Sequence, residues 1–211
     1  SDMSTAVASA LAAILAFSLM SALLVYFSAD YFFSGPFQIE EGLRAELVRS
    51  AWALALCTPV VALIGVALTV EPLDPTIRAW MVAGLVFSLA GDVFLMLADK
   101  WFVAGLGSFL VGHVAYVVAL QLGRTSRGWT AVGLAVVAVS IATLGRRIVG
   151  GVAAGEQRAM VGPVIAYLVV ISAMVVSAFG TAGGWAIVGA GLFYVSDATL
   201  AWNRFLELRR F

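Results

Sequence analysis

The sequence predicts an all-α fold, a polytopic transmembrane helical bundle of about seven spans. Three observations lead there. Of the 211 residues, 63% are hydrophobic and 11% charged, whereas a soluble domain carries about 25% charged residues and about 45–50% apolar ones. The mean hydropathy of +1.05 leaves too little polar material for a water-facing surface. The charges also fall between apolar runs of about 20 residues, the length that crosses a hydrocarbon core about 30 Å thick.

The first run, Ala6–Phe27, is too long for the core of a signal peptide and lacks a basic leading segment, so it reads as an anchor that stays. Ser1 and Asp2, ahead of Met3, are set aside as a remnant of expression, leaving a single transmembrane domain over residues 3–211. The segment Ser28–Val48 holds Asp30, Glu40, Glu41 and Glu46, and its Tyr31-Phe32-Phe33 cluster suits headgroup depth. The next spans are Arg49–Val70, Thr76–Ala98, Phe102–Leu122 and Trp129–Val149. A Gly- and Ala-rich stretch, Gly150–Gln157, reads as a flexible loop before the last two spans, Arg158–Phe179 and Gly184–Trp202. Apolar residues run all the way round each span, as expected where lipid and neighbouring helices are equally apolar.

Basic residues give an orientation. One side collects Arg44, Arg49, Lys100, Arg146, Arg147, Arg158, Arg204, Arg209 and Arg210, the other only Arg78, Arg124 and Arg127. The excess of cations on cytoplasmic loops then predicts a multi-pass protein of the cell membrane with a cytoplasmic C-terminus. Lysine plus arginine equals aspartate plus glutamate at 12 each, so charge makes no case for a nucleic-acid partner. The single Cys57 excludes an internal disulfide and a cysteine-based zinc site, and its apolar run suits a packed thiol.

Two carboxyls break the pattern. Asp92 and Asp197 sit inside apolar spans, where a charge at the bilayer centre costs about 2.5–3.5 kcal/mol. Their helices run in the same direction, and each lies roughly 8–9 Å before the end of its span. Both are therefore expected at similar depth toward the cytoplasmic side, facing one cavity. The bland alternative is interhelical hydrogen bonding, but that work usually falls to Ser, Thr, Asn or Gln. His113 is the only histidine and shares a helical face with Phe109 and Tyr116; an interhelical donor and a site residue stay equally open for it. Tyr167 is read as packing or site, and Asn203 as a polar contact at headgroup level. One histidine and two aspartates on three helices make a poor metal site, and neither a phosphate-binding glycine loop nor a Gly-x-Ser-x-Gly elbow is present.

The stretch from Ser88 through Gly91-Asp92 to Leu97, then Gly112-His113-Val114-Ala115-Tyr116, resembles the YhhN-like lysoplasmalogenase family. Pro163 to Tyr167, and Gly189 through Ser196-Asp197 to Asn203-Arg204-Phe205, are similar to it as well. Members of that family usually have eight spans, whereas seven are read here up to Phe211.

The resemblance implies hydrolysis of the vinyl ether bond of a lysoplasmalogen, a lysophospholipid taken from within the bilayer, to a fatty aldehyde and a glycerophospho-alcohol. An enol ether reacts by protonation of its β-carbon, which asks for an acid still protonated near neutral pH. Burial of a carboxyl in a low-dielectric pocket favours that neutral form, and two carboxyls sharing a site tend to split their protonation. Asp92 and Asp197 are therefore expected as the acid/base pair, with no cofactor and no metal. His113 and Tyr116 are expected to bond the substrate or the water, supported by Ser88 and Ser196. Arg204 is read either as a receiver of the phosphate or as plain cytoplasmic anchoring. The competing reading is a proton-coupled transporter of small molecules or lipids using the intramembrane aspartates. It asks for matched interruptions in two halves, and Pro59 and Pro163 fall in different contexts.

Overall fold

The structure is a computed structural model that describes residues 57–71, 74–97, 99–155 and 158–205, with the side chains of Asp99, Asn203 and Arg204 outside that description. The expected span Ala6–Phe27, the segment Ser28–Val48 and the first part of Arg49–Val70 lie outside the described residues. Those that are described form helices and short turns, and no strand occurs among them. The chain divides into two units, residues 1–112 and 113–211.

In the first unit, α1 (Cys57–Thr69) is the described part of the expected second span. Asp74 starts α2 (Pro75–Met96): its carboxylate accepts from the backbone N–H of Thr76 at 2.7 Å and of Ile77 at 3.3 Å. Pro75 occupies the first helical position, where its missing N–H costs nothing. The helix stops at Leu97, whose backbone is extended, and a 3-10 turn (Asp99–Trp101) leads into α3 (Phe102–Leu122). Trp101 stacks on Phe94 across that turn, with ring centroids 5.6 Å apart.

Small residues let α2 and the first part of α3 approach closely. Gly84, Ser88 and Gly91 lie on one buried face of α2. A β-carbon on Gly112 would lie 3.1 Å from the Gly84 carbonyl oxygen, and one on Gly105 would lie 2.9 Å from Leu95. A β-carbon on Gly91 would strike the Phe109 ring at 2.5 Å. The Ser108 hydroxyl donates to the Phe87 carbonyl at 2.7 Å, fixing the register. In lipid such close approach replaces the hydrophobic effect as the source of helix association.

The second unit begins at His113, within α3. It continues through α4 (Arg127–Ser140), a π-helical turn (Ile141–Gly145) and α5 (Arg146–Ala154), which together form one unbroken helical rod. A 3-10 turn (Arg158–Met160), α6 (Val161–Gly180) and α7 (Gly184–Phe205) complete it. The rod lies antiparallel to α6. The Ser126 N–H donates to the Gly180 carbonyl at 2.7 Å at one end. Farther along, a Gly133 β-carbon would sit 2.8 Å from Phe179 Cβ, and one on Gly145 would sit 3.1 Å from Leu168. Gln121 of α3 donates to the Ser177 hydroxyl of α6 at 3.2 Å.

One expectation is corrected. Gly150–Gln157 was expected as a flexible loop, but α5 runs on to Ala154 and ends at Gly155. Ile148 and Val152, one turn apart, are buried with Val164 and packed by Met160, Val161, Ala201 and Phe205. That contact, and the need to satisfy backbone groups internally where water is scarce, outweigh the cost of about 1 kcal/mol for each helical glycine.

Five of the described helical stretches are long and apolar enough to cross a membrane: Pro75–Met96, Phe102–Leu122, Arg127–Ala154, Arg158–Gly180 and Gly184–Trp202. They coincide with the last five expected spans. Large apolar side chains such as Val139, Val169, Trp185 and Val195 are exposed on them. In water such a surface would aggregate; facing lipid it is ordinary. The chain is a multi-pass membrane protein.

Candidate functional site

The site is built on three helices of the second unit. α7 carries Asp197 in an otherwise apolar run, and a carboxylate so placed must find partners within the bundle. It finds two. The Tyr167 hydroxyl of α6 donates to Asp197 Oδ2, and His113 Nε2 of α3 lies 3.7 Å from the same oxygen. His113 is fully buried, while the Asp197 side chain keeps 17% exposure, so the carboxyl is the part of the cluster that a ligand can reach.

Aromatic rings fix the imidazole. Tyr116, Tyr167 and Phe193 each meet His113 edge-on, with centroids 6.2, 5.5 and 5.7 Å away. Tyr116 also packs on Phe193 at 6.0 Å. Phe193 and Asp197 are one turn apart on α7, so the same helical face supplies the wall and the acid. Edge-to-face rings of this kind are a stable arrangement; here they leave the histidine little rotational freedom.

Asp197 opens into a cleft with a volume of about 440 Å³ including its mouth. Leu144, Gly145 and Ile148 of the long rod form one wall. Val164, Tyr167 and Ile171 of α6 form the second, and Tyr194, Asp197 and Ala201 of α7 the third. Apart from Asp197 and the two tyrosine hydroxyls the lining is apolar. The π-helical turn places Leu144 and Gly145 at this cleft. An extra residue per turn in an α-helix commonly marks a functional position.

The remaining expected residues are distributed as follows. Tyr116 is buried against His113. Asp92 is half-buried on α2 in the first unit, and Ser88 is buried one turn before it. Asp92 and Asp197 thus belong to different units, each described in its own. Ser196 is exposed on α7. Asn203 and Arg204 belong to α7, and their side chains lie outside the described residues.

Phe193, Tyr194 and the π-helical turn were not among the expected site residues. Phe193 had a signal, since it precedes Asp197 by four positions on one helix. The π turn had none, because a single extra residue barely disturbs apolar periodicity when every face is apolar. The partnership of Tyr167 with Asp197 joins residues 30 apart, which spacing within one helix cannot reveal.

A carboxyl gripped by a phenol and backed by an immobilised imidazole, at the wall of an apolar cleft, can exchange a proton with a bound apolar molecule. Asp197 Oδ2 accepts from Tyr167.

The model of the YhhN family matches residues 51–211. A protein of Mycobacterium bovis (strain ATCC BAA-935 / AF2122/97) named lysoplasmalogenase is 35% identical over 139 residues, covering 61% of this chain and 51% of the relative. A lysoplasmalogenase of Mycobacterium tuberculosis (strain CDC 1551 / Oshkosh) matches to the same extent. Lysoplasmalogenase TMEM86B of Mus musculus is 30% identical over 161 residues, covering 75% of this chain and 66% of the relative. The chain spans about half the length of the mycobacterial relatives. No solved structure matches it.

Proposed function

Because this chain belongs to the YhhN family, we propose that it is a membrane hydrolase that cleaves the vinyl ether bond of a lysoplasmalogen. The products are a fatty aldehyde and a glycerophospho-alcohol. The names of the mycobacterial and mouse relatives support the substrate. The observation that carries the reading is Asp197, a carboxyl held by Tyr167 at the wall of an apolar cleft.

The chemistry follows from the enol ether. A carboxylic acid delivers its proton to the β-carbon, the ether oxygen shares its lone pair, and an oxocarbenium ion forms. A carboxylate stabilises that cation and takes a proton from water as the water oxygen bonds to the carbon bearing the ether. The hemiacetal then collapses: the bond from that carbon to the glycerol oxygen breaks, the glycerol oxygen gains a proton, and the aldehyde carbonyl forms. Asp197 and Asp92 are assigned this acid and base work. Tyr167 orients Asp197, and His113, held by three rings, backs the same carboxyl from 3.7 Å away. Tyr116 packs against His113 from the buried side. Residues 3–211 act as one transmembrane domain in the cell membrane, with the C-terminus in the cytoplasm. A reporter fused after Phe211 that is active only in the cytoplasm tests that orientation.

The test of the reaction is the purified protein in detergent with ethanolamine and choline lysoplasmalogens, with released aldehyde measured by mass spectrometry. Aldehyde release by the parent chain is expected. A positioned acid or base contributes about 10²–10⁴-fold, and Asp197→Asn and Asp92→Asn, made separately, are expected to lose that much. Folded variants with full turnover would remove the assignment. Proton-coupled flux in proteoliposomes without aldehyde would instead indicate transport.

A further inference from the structure

Proton transfer to one carbon needs only an acid, a base and a water. The cleft around Asp197 reaches past the atoms that task requires, along α6 from Val164 to Ile171. Asp197 and Tyr167 lie near its middle: Ile148, Val164 and Ala201 wall one end, and Leu144, Ile171 and Tyr194 wall the other. The two ends differ in their surroundings. Arg147 is exposed on α5 beside Ile148, and Arg158 is exposed on the turn that feeds α6. Arg158 precedes Tyr167 by nine residues, about 13 Å along a helix axis, and its long side chain can cover part of that span. The Leu144–Ile171 end lies deeper in the apolar part of the same helices.

This asymmetry matches an amphiphile with one chain and an anionic head. Arginine is suited to phosphate by its planar fork of donors, and the apolar lining of the cleft is suited to a hydrocarbon chain.

We propose that this cleft is the lipid-binding site: the phosphate rests near Arg147 and Arg158, the first chain carbons lie across Asp197, and the hydrocarbon tail runs toward Leu144 and Ile171, which set the accepted chain length. The placement of the reacting bond rests on the vinyl ether reading. Binding of a single-chain anionic lipid does not depend on it.

The test therefore uses a ligand that cannot be cleaved. Saturated alkyl lysophospholipids of long and short chain compete with a fluorescent lysophospholipid for the full chain in detergent, and aldehyde release is measured in parallel. A change of one or two methylenes in an apolar pocket is worth about tenfold or more. Leu144→Trp should therefore weaken long-chain binding by about tenfold and leave short-chain binding within about twofold. Ile171→Ala should shift the preference toward longer chains, and it carries the test if Leu144→Trp fails to fold. Arg147→Gln with Arg158→Gln should weaken both chain lengths equally, by about tenfold, without changing competition by a long-chain alcohol that lacks phosphate. An unchanged length preference in both cleft variants, with aldehyde still released, overturns the cleft and leaves the reaction standing. Length-dependent binding without any aldehyde overturns the vinyl ether reading and supports the cleft.

Discussion

Tyr167 and Asp197 bond across two helices, and a hydrogen bond to a carboxylate inside a bundle contributes about 1.5–3 kcal/mol. Tyr167→Phe keeps the ring that packs on His113 and removes only the donor. Turnover is expected to fall by about ten- to a hundredfold with KM little changed, because the ring still walls the cleft while the acid loses its orientation. Steady-state aldehyde release checks this, and an unchanged kcat would show that the bond has no part in positioning. Asp197 and His113 were legible in the sequence because a charge in an apolar span and a lone histidine both stand out. Tyr167 was read as packing or site, since tyrosine in an apolar helix is as often one as the other, and its bond to Asp197 was not legible. Only the fold shows which carboxyl its hydroxyl meets.

Helix contacts in this chain are set by where β-carbons are absent. At Gly133 an added β-carbon would meet Phe179 Cβ at 2.8 Å and Val176 Cα at 3.2 Å, atoms attached to or part of the α6 backbone. Gly133→Ala should therefore push α4 from α6 and cost about 1–3 kcal/mol. At Gly189 nothing lies within 4 Å, so Gly189→Ala should be neutral or stabilising by up to about 1 kcal/mol through helix propensity. Thermal unfolding in detergent, with both variants in parallel, separates the two. Ala182, between α6 and α7, adopts a φ of 56°, in the left-handed region. Ala182→Gly should relieve about 1 kcal/mol there, seen as a rise in Tm in the same experiment.

Span positions were legible because charges mark the helix ends: the expected Phe102–Leu122 coincides with α3, and Thr76–Ala98 differs from α2 by one residue at its start and two at its end. The reach of α5 to Ala154 was not, because Gly and Ala composition suggested a loop and the burial of Ile148 and Val152 depends on α6 and α7. The π-helical turn was equally hidden, since inserting a residue changes the face presented and hardly changes composition.

At the scale of the molecule, long apolar helices with exposed apolar side chains define a multi-pass membrane protein. The proposed occupant of the cleft is a lipid with its head beside the arginines at one end and its chain along the apolar walls. The proposed reaction has a signature that no transporter or scaffold shares. The proton that starts it comes from an exchangeable acid and ends on carbon. Hydrolysis of a lysoplasmalogen by the parent chain in heavy water, with the aldehyde trapped at once and weighed by mass spectrometry, reads that step directly. One deuterium on the carbon next to the carbonyl is expected, with both label and aldehyde falling to background in Asp197→Asn. Aldehyde without deuterium, or equal labelled product from the folded Asp197→Asn protein, would contradict proton delivery through this carboxyl.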